Sequence, residues 1–146
     1  MGEDLCVGFI VFGDPVVKQR PRTVRSKGSD EVHTFTPQKT VDQENRIALV
    51  YKSRYAGFKF GKDVPLRLNA DFFLKIPKGT SKKNIEKMLS GEIRPTKKNF
   101  DIDNGGKLVA DALNKIAYED DSQIVEMVFR KFYSDKVRTE IYISKV

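Results

Sequence analysis

The order of apolar and polar side chains predicts two strands in the first half of the chain. Residues 5–12 form an unbroken apolar run that is rich in β-branched and aromatic side chains, and Gly13 and Pro15 follow it, which is typical of a strand that ends in a turn. Residues 65–76 alternate between apolar and polar side chains with a period of two, so we expect a strand with one face against the core.

Two more strands are predicted near the end of the chain, over residues 123–133 and 137–144. Only the polar residues 134–136 separate them, and a short polar connection between two strands is typical of a hairpin. We therefore expect the last two strands to pair with each other.

Three segments carry apolar residues at helical spacing, namely residues 38–55, 81–91 and 103–115. Ser81 can cap the second of these helices, because its hydroxyl can accept a hydrogen bond from a backbone N–H of the first turn.

The start of the third helix is less well determined. Asp103 or Asn104 can cap it, since both side chains accept hydrogen bonds from the backbone. Gly105 and Gly106 follow, and each glycine weakens a helix by about 1 kcal/mol relative to alanine. A later start of the helix is therefore the alternative.

Residues 13–37 contain many polar side chains and no clear periodicity, so we predict a long loop, and a loop of this length usually has a function. No internal repeat or linker divides the sequence, which predicts a single domain over residues 1–146. The predicted order is β-α-β-α-α-β-β, which is typical of an α+β domain with helices packed on a small mixed β-sheet.

The composition favours a protein that binds a polyanion. The chain has 27 Lys and Arg against 20 Asp and Glu, a net charge of +7. Cys6 and His33 are the only residues of their types, which excludes an internal disulfide and a zinc site of cysteine and histidine ligands. No apolar run approaches the roughly 18 residues of a membrane span. The first residues are acidic where a secretion signal is basic, so we expect a cytoplasmic protein with no membrane partner.

Charge is distributed unevenly along the second half of the chain. Residues 75–98 carry eight basic side chains against two acidic ones, whereas residues 99–126 carry seven acidic side chains against two basic ones. An acidic cluster between basic flanks is what a metal-dependent nuclease requires, because carboxylates hold divalent cations while lysine and arginine bind the phosphate backbone. The alternative is that the acids only form turns and helix caps.

Four of these charged residues are spaced so that they can share one site. Asp101 and Asp103 are two apart, and in an extended segment they point the same way. Asp103, Lys107 and Asp111 follow at intervals of four, which places them along one stripe of the predicted helix. The positive end of that helix favours carboxylates or a phosphate oxygen nearby.

A third carboxylate is expected from Asp120 or Asp121, which stand at the entry to a predicted strand. Adjacent strand residues point to opposite faces, so the spacing alone leaves the choice open. Carboxylates around one point repel each other, and Mg²⁺, or Mn²⁺ in its place, relieves that repulsion and activates water for phosphodiester cleavage. Lys107 is then predicted to hold the attacking water or to neutralise charge on the phosphate.

Several segments together form one composite pattern. It comprises residues 98–104 (KNFDIDN), Lys107, residues 111–114 (DALN) and residues 120–125 (DDSQIV), with a looser likeness over residues 18–22 (KQRPR), residues 35–37 (FTP) and the closing strands. This pattern resembles that of the RusA family of Holliday junction resolvases.

The resemblance implies a homodimeric, Mg²⁺-dependent endonuclease that nicks four-way DNA junctions symmetrically in recombination and repair. It implies that Asp101, Asp103 and Asp121 are the catalytic, metal-binding acids, and that Lys107 supports catalysis. Asp121 is preferred to Asp120 by its place in the pattern. The basic residues that we expect to bind the DNA backbone are Lys18, Arg20, Arg22, Lys97 and Lys98.

Two other functions stay open on the sequence alone. One is a non-catalytic nucleic-acid-binding module, in which the acids cap helices and orient basic side chains. The other is a nuclease for other branched or structured nucleic acids, such as flaps or RNA. Basic charge fits all of these functions, and the acidic cluster favours the junction nuclease.

Overall fold

The computed structural model describes residues 6–98 and 100–146, and these residues form an α+β fold, as the sequence predicts. Leu5, the predicted start of the first strand, and Asn99, part of the composite pattern, lie outside the described residues. The strands are β1 (Cys6–Phe12), β2 (Arg22–Arg25), β3 (Val32–Phe35), β4 (Leu66–Lys75), β5 (Ile124–Ser134) and β6 (Arg138–Lys145), the helices are α1 (Gln38–Arg54), α2 (Lys82–Leu89) and α3 (Ile102–Leu113), and a 3₁₀ turn spans Asp121–Gln123. In this part of the chain, no helix combines the length and the apolar character needed to cross a bilayer.

The predicted helices over residues 38–55 and 81–91 are confirmed as α1 and α2. Ser81 caps α2, because its hydroxyl accepts a hydrogen bond from the Asn84 N–H at 3.3 Å. The third predicted helix is confirmed as α3, but it begins earlier than the sequence suggests, as described below.

Four strands form one mixed sheet in the order β1-β6-β4-β5, with β4 antiparallel to β6 and parallel to β5. The predicted hairpin between the last two strands is therefore wrong, because β4 lies between them. Leu66, Leu68 and Ala70 of β4 are fully buried, which favours a central position for this strand. Residues 135–137 can connect β5 to β6 across β4, since two strand spacings amount to roughly 10 Å.

The core lies between one face of this sheet and helices α1 and α3. Val7 of β1 shares one cluster of buried side chains with Tyr51 of α1 and Leu108 of α3. Alternation along β4 directs Asp71 to the opposite face, where its two carboxylate oxygens accept hydrogen bonds from Arg130 of β5, each at 2.8 Å. Helices α1 and α3 thus pack on the face of the sheet that carries the buried apolar side chains.

The region over residues 13–37, predicted as a loop, contains the hairpin of β2 and β3. The two strands pair antiparallel from Arg22 opposite Phe35 to Arg25 opposite Val32, and all eight of their residues are exposed. Since neither strand buries a face, no alternation of apolar and polar side chains marks them in the sequence, and the loop prediction is corrected for this reason.

Side chains cover backbone groups on both outer strands of the sheet. The Tyr55 hydroxyl accepts a hydrogen bond from the Gly8 N–H of β1 and donates one to the Gly8 carbonyl, both at 2.8 Å. On β5, Arg94 Nε donates to the Lys131 carbonyl at 2.8 Å. Because unpaired edge strands invite pairing with another chain, the Tyr55 hydroxyl protects β1 at this position.

Candidate functional site

Helix α3 begins at Ile102, and Asp101 is its N-cap. One carboxylate oxygen of Asp101 accepts a hydrogen bond from the Asp103 N–H at 3.1 Å, and the other accepts one from the Asn104 side-chain amide at 3.0 Å. The predicted caps Asp103 and Asn104, the later start and the extended segment between the two aspartates are therefore wrong. The earlier start places both aspartates at the positive end of the helix.

Gly105 and Gly106 allow α3 to lie unusually close to the sheet. A β-carbon at Gly106 would stand 2.1 Å from the ring of Phe129 on β5, and one at Gly105 would stand 2.8 Å from the ring of Phe100. The low helix propensity of glycine is therefore offset by close packing, and the helix forms through both positions.

The stripe predicted on this helix faces one open cleft. Asp103, Lys107 and Asp111 all line it, which confirms that their spacing places them on one side of α3. The cleft has a volume of about 600 Å³. Its lining residues are Lys18, Gln19, Arg20, Pro21, Asp101, Asp103, Asn104, Lys107, Ala110, Asp111 and Asp121.

The 3₁₀ turn before β5 separates the roles of Asp120 and Asp121. Asp120 caps the turn by accepting a hydrogen bond from the Ser122 N–H at 3.1 Å, and its carboxylate lies 3.9 Å from the Lys115 ammonium. The hydrogen bonds from Ser122 lower the pKa of Asp120, with a smaller contribution from Lys115. Asp121 instead lines the cleft.

Gln123 fixes this turn to the rest of the fold, a role that the sequence does not reveal. Its side-chain carbonyl accepts hydrogen bonds from the Glu119 and Asp120 N–H groups, at 3.0 and 3.2 Å. Its side-chain amide donates to the carbonyls of Gly61 and Val64, at 2.9 and 3.1 Å. These four bonds hold the position from which Asp121 reaches the cleft.

Tyr118 lies beneath the cleft and is fully buried. Its hydroxyl donates a hydrogen bond to the Ala110 carbonyl at 2.5 Å. Burial raises the pKa of Tyr118, and the negative charges of Asp121, Asp111 and Asp120 raise it further. The charges of these three aspartates thus reach the buried hydroxyl beside Ala110.

The donor atoms of the cleft fit a hydrated divalent cation. Asp101, Asp103 and Asp121 all line the cleft, and their carboxylate oxygens are the hard ligands that Mg²⁺ prefers. Within residues 6–98 and 100–146, however, no three Asp, Glu, His or Cys side chains lie close enough together to enclose a metal ion. Since Mg²⁺ usually keeps several waters and binds through one or two carboxylates, such an open arrangement suits it.

Lys18 lies among carboxylates rather than on an open basic surface. Its ammonium is 2.6 Å from an Asp111 carboxylate oxygen and 3.4 Å from one of Glu44 on α1. Burial disfavours the charged ammonium, but Asp111 and Glu44 outweigh that effect and raise the pKa of Lys18. The sequence gives no signal for Glu44, because α1 meets this cleft only through the tertiary fold.

The other predicted DNA contacts lie at three places. Arg20 lines the cleft itself, and Arg22, two residues later in the chain, is exposed at the start of β2. Lys97 lines a separate hollow of about 200 Å³, which also contains Phe100 next to Asp101. Lys98 is exposed on the segment that leads into α3.

Two comparisons connect the chain to known proteins. The family model described as endodeoxyribonuclease RusA matches residues 13–144. The chain is similar to the uncharacterized protein YqaN of Bacillus subtilis (strain 168), with 38% identity over 144 residues that cover 97% of each chain. The matched range therefore contains every residue that lines the cleft.

Proposed function

Because the chain belongs to the RusA family of endodeoxyribonucleases, we propose that it nicks four-way DNA junctions symmetrically as a Mg²⁺-dependent homodimer in recombination and repair. One observation carries this proposal. Asp101, Asp103, Lys107 and Asp121 line the same open cleft, with Arg20 beside them. A substrate that brings phosphates to carboxylates needs a cation between the two, and a hydrated Mg²⁺ suits these donors.

In this proposal Asp101, Asp103 and Asp121 are the metal ligands, one or two of them binding Mg²⁺ directly and the rest through its waters. When bound, Mg²⁺ supplies an activated water and stabilises the leaving oxygen of the cleaved phosphodiester. The hydrogen bonds to Asp101 from the Asp103 N–H and the Asn104 amide restrict the direction in which its carboxylate can bind.

The cationic side chains of the cleft complement these acids. Lys107 stands one helical turn beyond Asp103 and faces the cleft, where it neutralises charge that develops on the phosphate. Arg20 lines the same cleft and binds a neighbouring phosphate, for which its fork of N–H donors is well suited. The net charge of +7 attracts the rest of the DNA backbone.

The homodimer follows from the symmetry of the substrate. Resolution of a four-way junction requires cuts in two strands that are related by a two-fold axis, and each chain provides one such cleft among its described residues. A pair of chains with C2 symmetry supplies two clefts with the required relation.

The proposal is tested by comparing cleavage of a synthetic four-way junction, a flap and a linear duplex, with Mg²⁺, with Mn²⁺ and with EDTA. We expect cleavage of the junction only, and only with metal. Asp103→Asn and Asp121→Asn should bind the junction and lose at least about a hundredfold in cleavage rate. Asp120→Asn is the matched control, because asparagine caps as well as aspartate, and it should cut normally.

The outcomes separate the other functions. Cutting of the flap or the duplex at the same rate as the junction would assign a different branched or linear substrate. Junction binding that EDTA does not change, with no nicking at any Mg²⁺ or Mn²⁺ concentration, would assign a non-catalytic binding module.

A further inference from the structure

The segment that follows β1 is tied to two helices through one side chain. The Lys18 ammonium forms ion pairs with Asp111 of α3, at 2.6 Å, and with Glu44 of α1, at 3.4 Å. The Lys18 side chain is 29% exposed, so both pairs are partly shielded from water. Such pairs are screened less by water and salt than fully exposed ones.

Backbone hydrogen bonds hold the same segment in the same place. The Lys18 N–H donates to the Asn104 carbonyl in the first turn of α3, at 2.9 Å. The Gln19 N–H donates to the hydroxyl of Thr40 on α1, at 3.2 Å, and Thr40 is fully buried. The main chain and the side chain of Lys18 thus link the segment to both helices at once.

The residues that come next form a wall of the cleft. Arg20 and Pro21 line the same cleft as Asp103 and Asp111 of α3, and they directly follow residues 18 and 19, which are held by the two helices. Among the residues that the structure describes, Arg20 forms no ion pair, whereas Lys18 forms two. A DNA phosphate that recruited the Lys18 ammonium would have to compete for it with both carboxylates.

We propose that Lys18 is a positioning residue for the nuclease reaction rather than a phosphate contact. Its ion pairs with Asp111 and Glu44 hold residues 18–21 against α3, so that Arg20 faces the scissile region of the DNA. This inference rests on the proposed function. It also assigns a role to Asp111, which lies on the catalytic stripe and is engaged by Lys18.

The test compares Lys18→Met, Lys18→Arg and Lys52→Met. Methionine keeps the length of the side chain without its charge, arginine keeps the charge, and Lys52 is an exposed lysine of α1 outside the cleft. For each variant we would measure the single-turnover cleavage rate, the junction Kd in EDTA and the dependence of that Kd on salt. Hydrogen exchange of the amides of residues 18–20 is measured alongside.

We expect Lys18→Met to slow cleavage by about ten- to a hundredfold, the range that a small misplacement causes. Its junction Kd should change less than about threefold, with an unchanged salt slope. The amides of residues 18 and 19 should exchange faster. Lys18→Arg should recover most of the cleavage rate, and Lys52→Met should match the wild type in cleavage and in amide exchange.

Two results would overturn the proposal. A weaker Kd together with a salt slope reduced by about one would make Lys18 a phosphate contact. Wild-type cleavage and wild-type amide exchange in Lys18→Met would leave it without a positioning role. If the wild type itself cut no junction, the proposed function would fail, while faster exchange of residues 18 and 19 in Lys18→Met would still establish the link to the helices.

Discussion

Gly106 brings helix α3 into contact with the ring of Phe129, and this contact sets the distance between the sheet and the helix that carries Asp103, Lys107 and Asp111. A β-carbon here would lie 2.1 Å from Phe129, far inside normal contact distance. Helix propensity alone predicts that alanine would stabilise the protein by about 1 kcal/mol. The structure predicts the opposite, namely that alanine at this position destabilises the protein.

We expect Gly106→Ala to lower the free energy of unfolding by about 1–3 kcal/mol, because the added methyl group forces the helix and the ring apart. Urea denaturation measures this change. Gly105→Ala should cost less, since its β-carbon would meet the edge of the Phe100 ring at 2.8 Å. Gly106→Ala combined with Phe129→Leu should regain part of the loss, and a Gly106→Ala variant more stable than wild type would contradict the close approach.

Spacing along a single helix is the most predictable aspect of the site. Asp103, Lys107 and Asp111 share a stripe because the helical repeat fixes their directions, whatever surrounds them. The partners of Lys18 are different, since Glu44 and Asp111 belong to helices that only the tertiary fold brings together. Sequence spacing therefore predicts the stripe of α3, and it gives no signal for the ion pairs of Lys18.

At the scale of elements, local signals predict strands and helices well but not their neighbours. The alternation of β4 and the cap at Ser81 are both local, and both are confirmed. The insertion of β4 between β5 and β6 is a property of the whole sheet, because short connections favour a hairpin without requiring one. The hairpin of β2 and β3 is missed since it has no buried face.

Tyr55 links helix α1 to the outer strand of the sheet, so its hydroxyl is an element-scale determinant of stability. We expect Tyr55→Phe to destabilise the protein by about 1–3 kcal/mol, because the Gly8 N–H and carbonyl lose their shared partner. The variant should also associate more readily at high concentration through the uncovered strand.

Chemical denaturation and light scattering measure the two effects. Tyr142→Phe is the control, since that hydroxyl donates to the Glu140 side chain on the next alternate residue and covers no backbone group. Tyr55→Phe with unchanged stability and unchanged scattering would show that water replaces the hydroxyl at no cost.

For the whole molecule, the central prediction is that each chain of the proposed dimer cuts one strand. A heterodimer of one wild-type chain and one Asp103→Asn chain, isolated with two different affinity tags, should nick one strand and leave the junction unresolved. Denaturing gels score the nicks, and native gels score the separated duplexes. Complete resolution by the heterodimer would contradict one site per chain, and no nicking at all would mean that residues of both chains build each site.

The hydroxyl of Tyr55 has a consequence for assembly by strand addition. An open-ended fibril needs two free sheet edges on every chain. On β1 the Tyr55 hydroxyl occupies both backbone groups of Gly8, whereas on β5 Arg94 covers only the Lys131 carbonyl and Val125 and Met127 are exposed. If two copies paired through their β5 strands, that edge would no longer be free on either chain. Further addition would then have to displace the Tyr55 hydroxyl from Gly8 on β1, so this hydroxyl opposes growth beyond a pair.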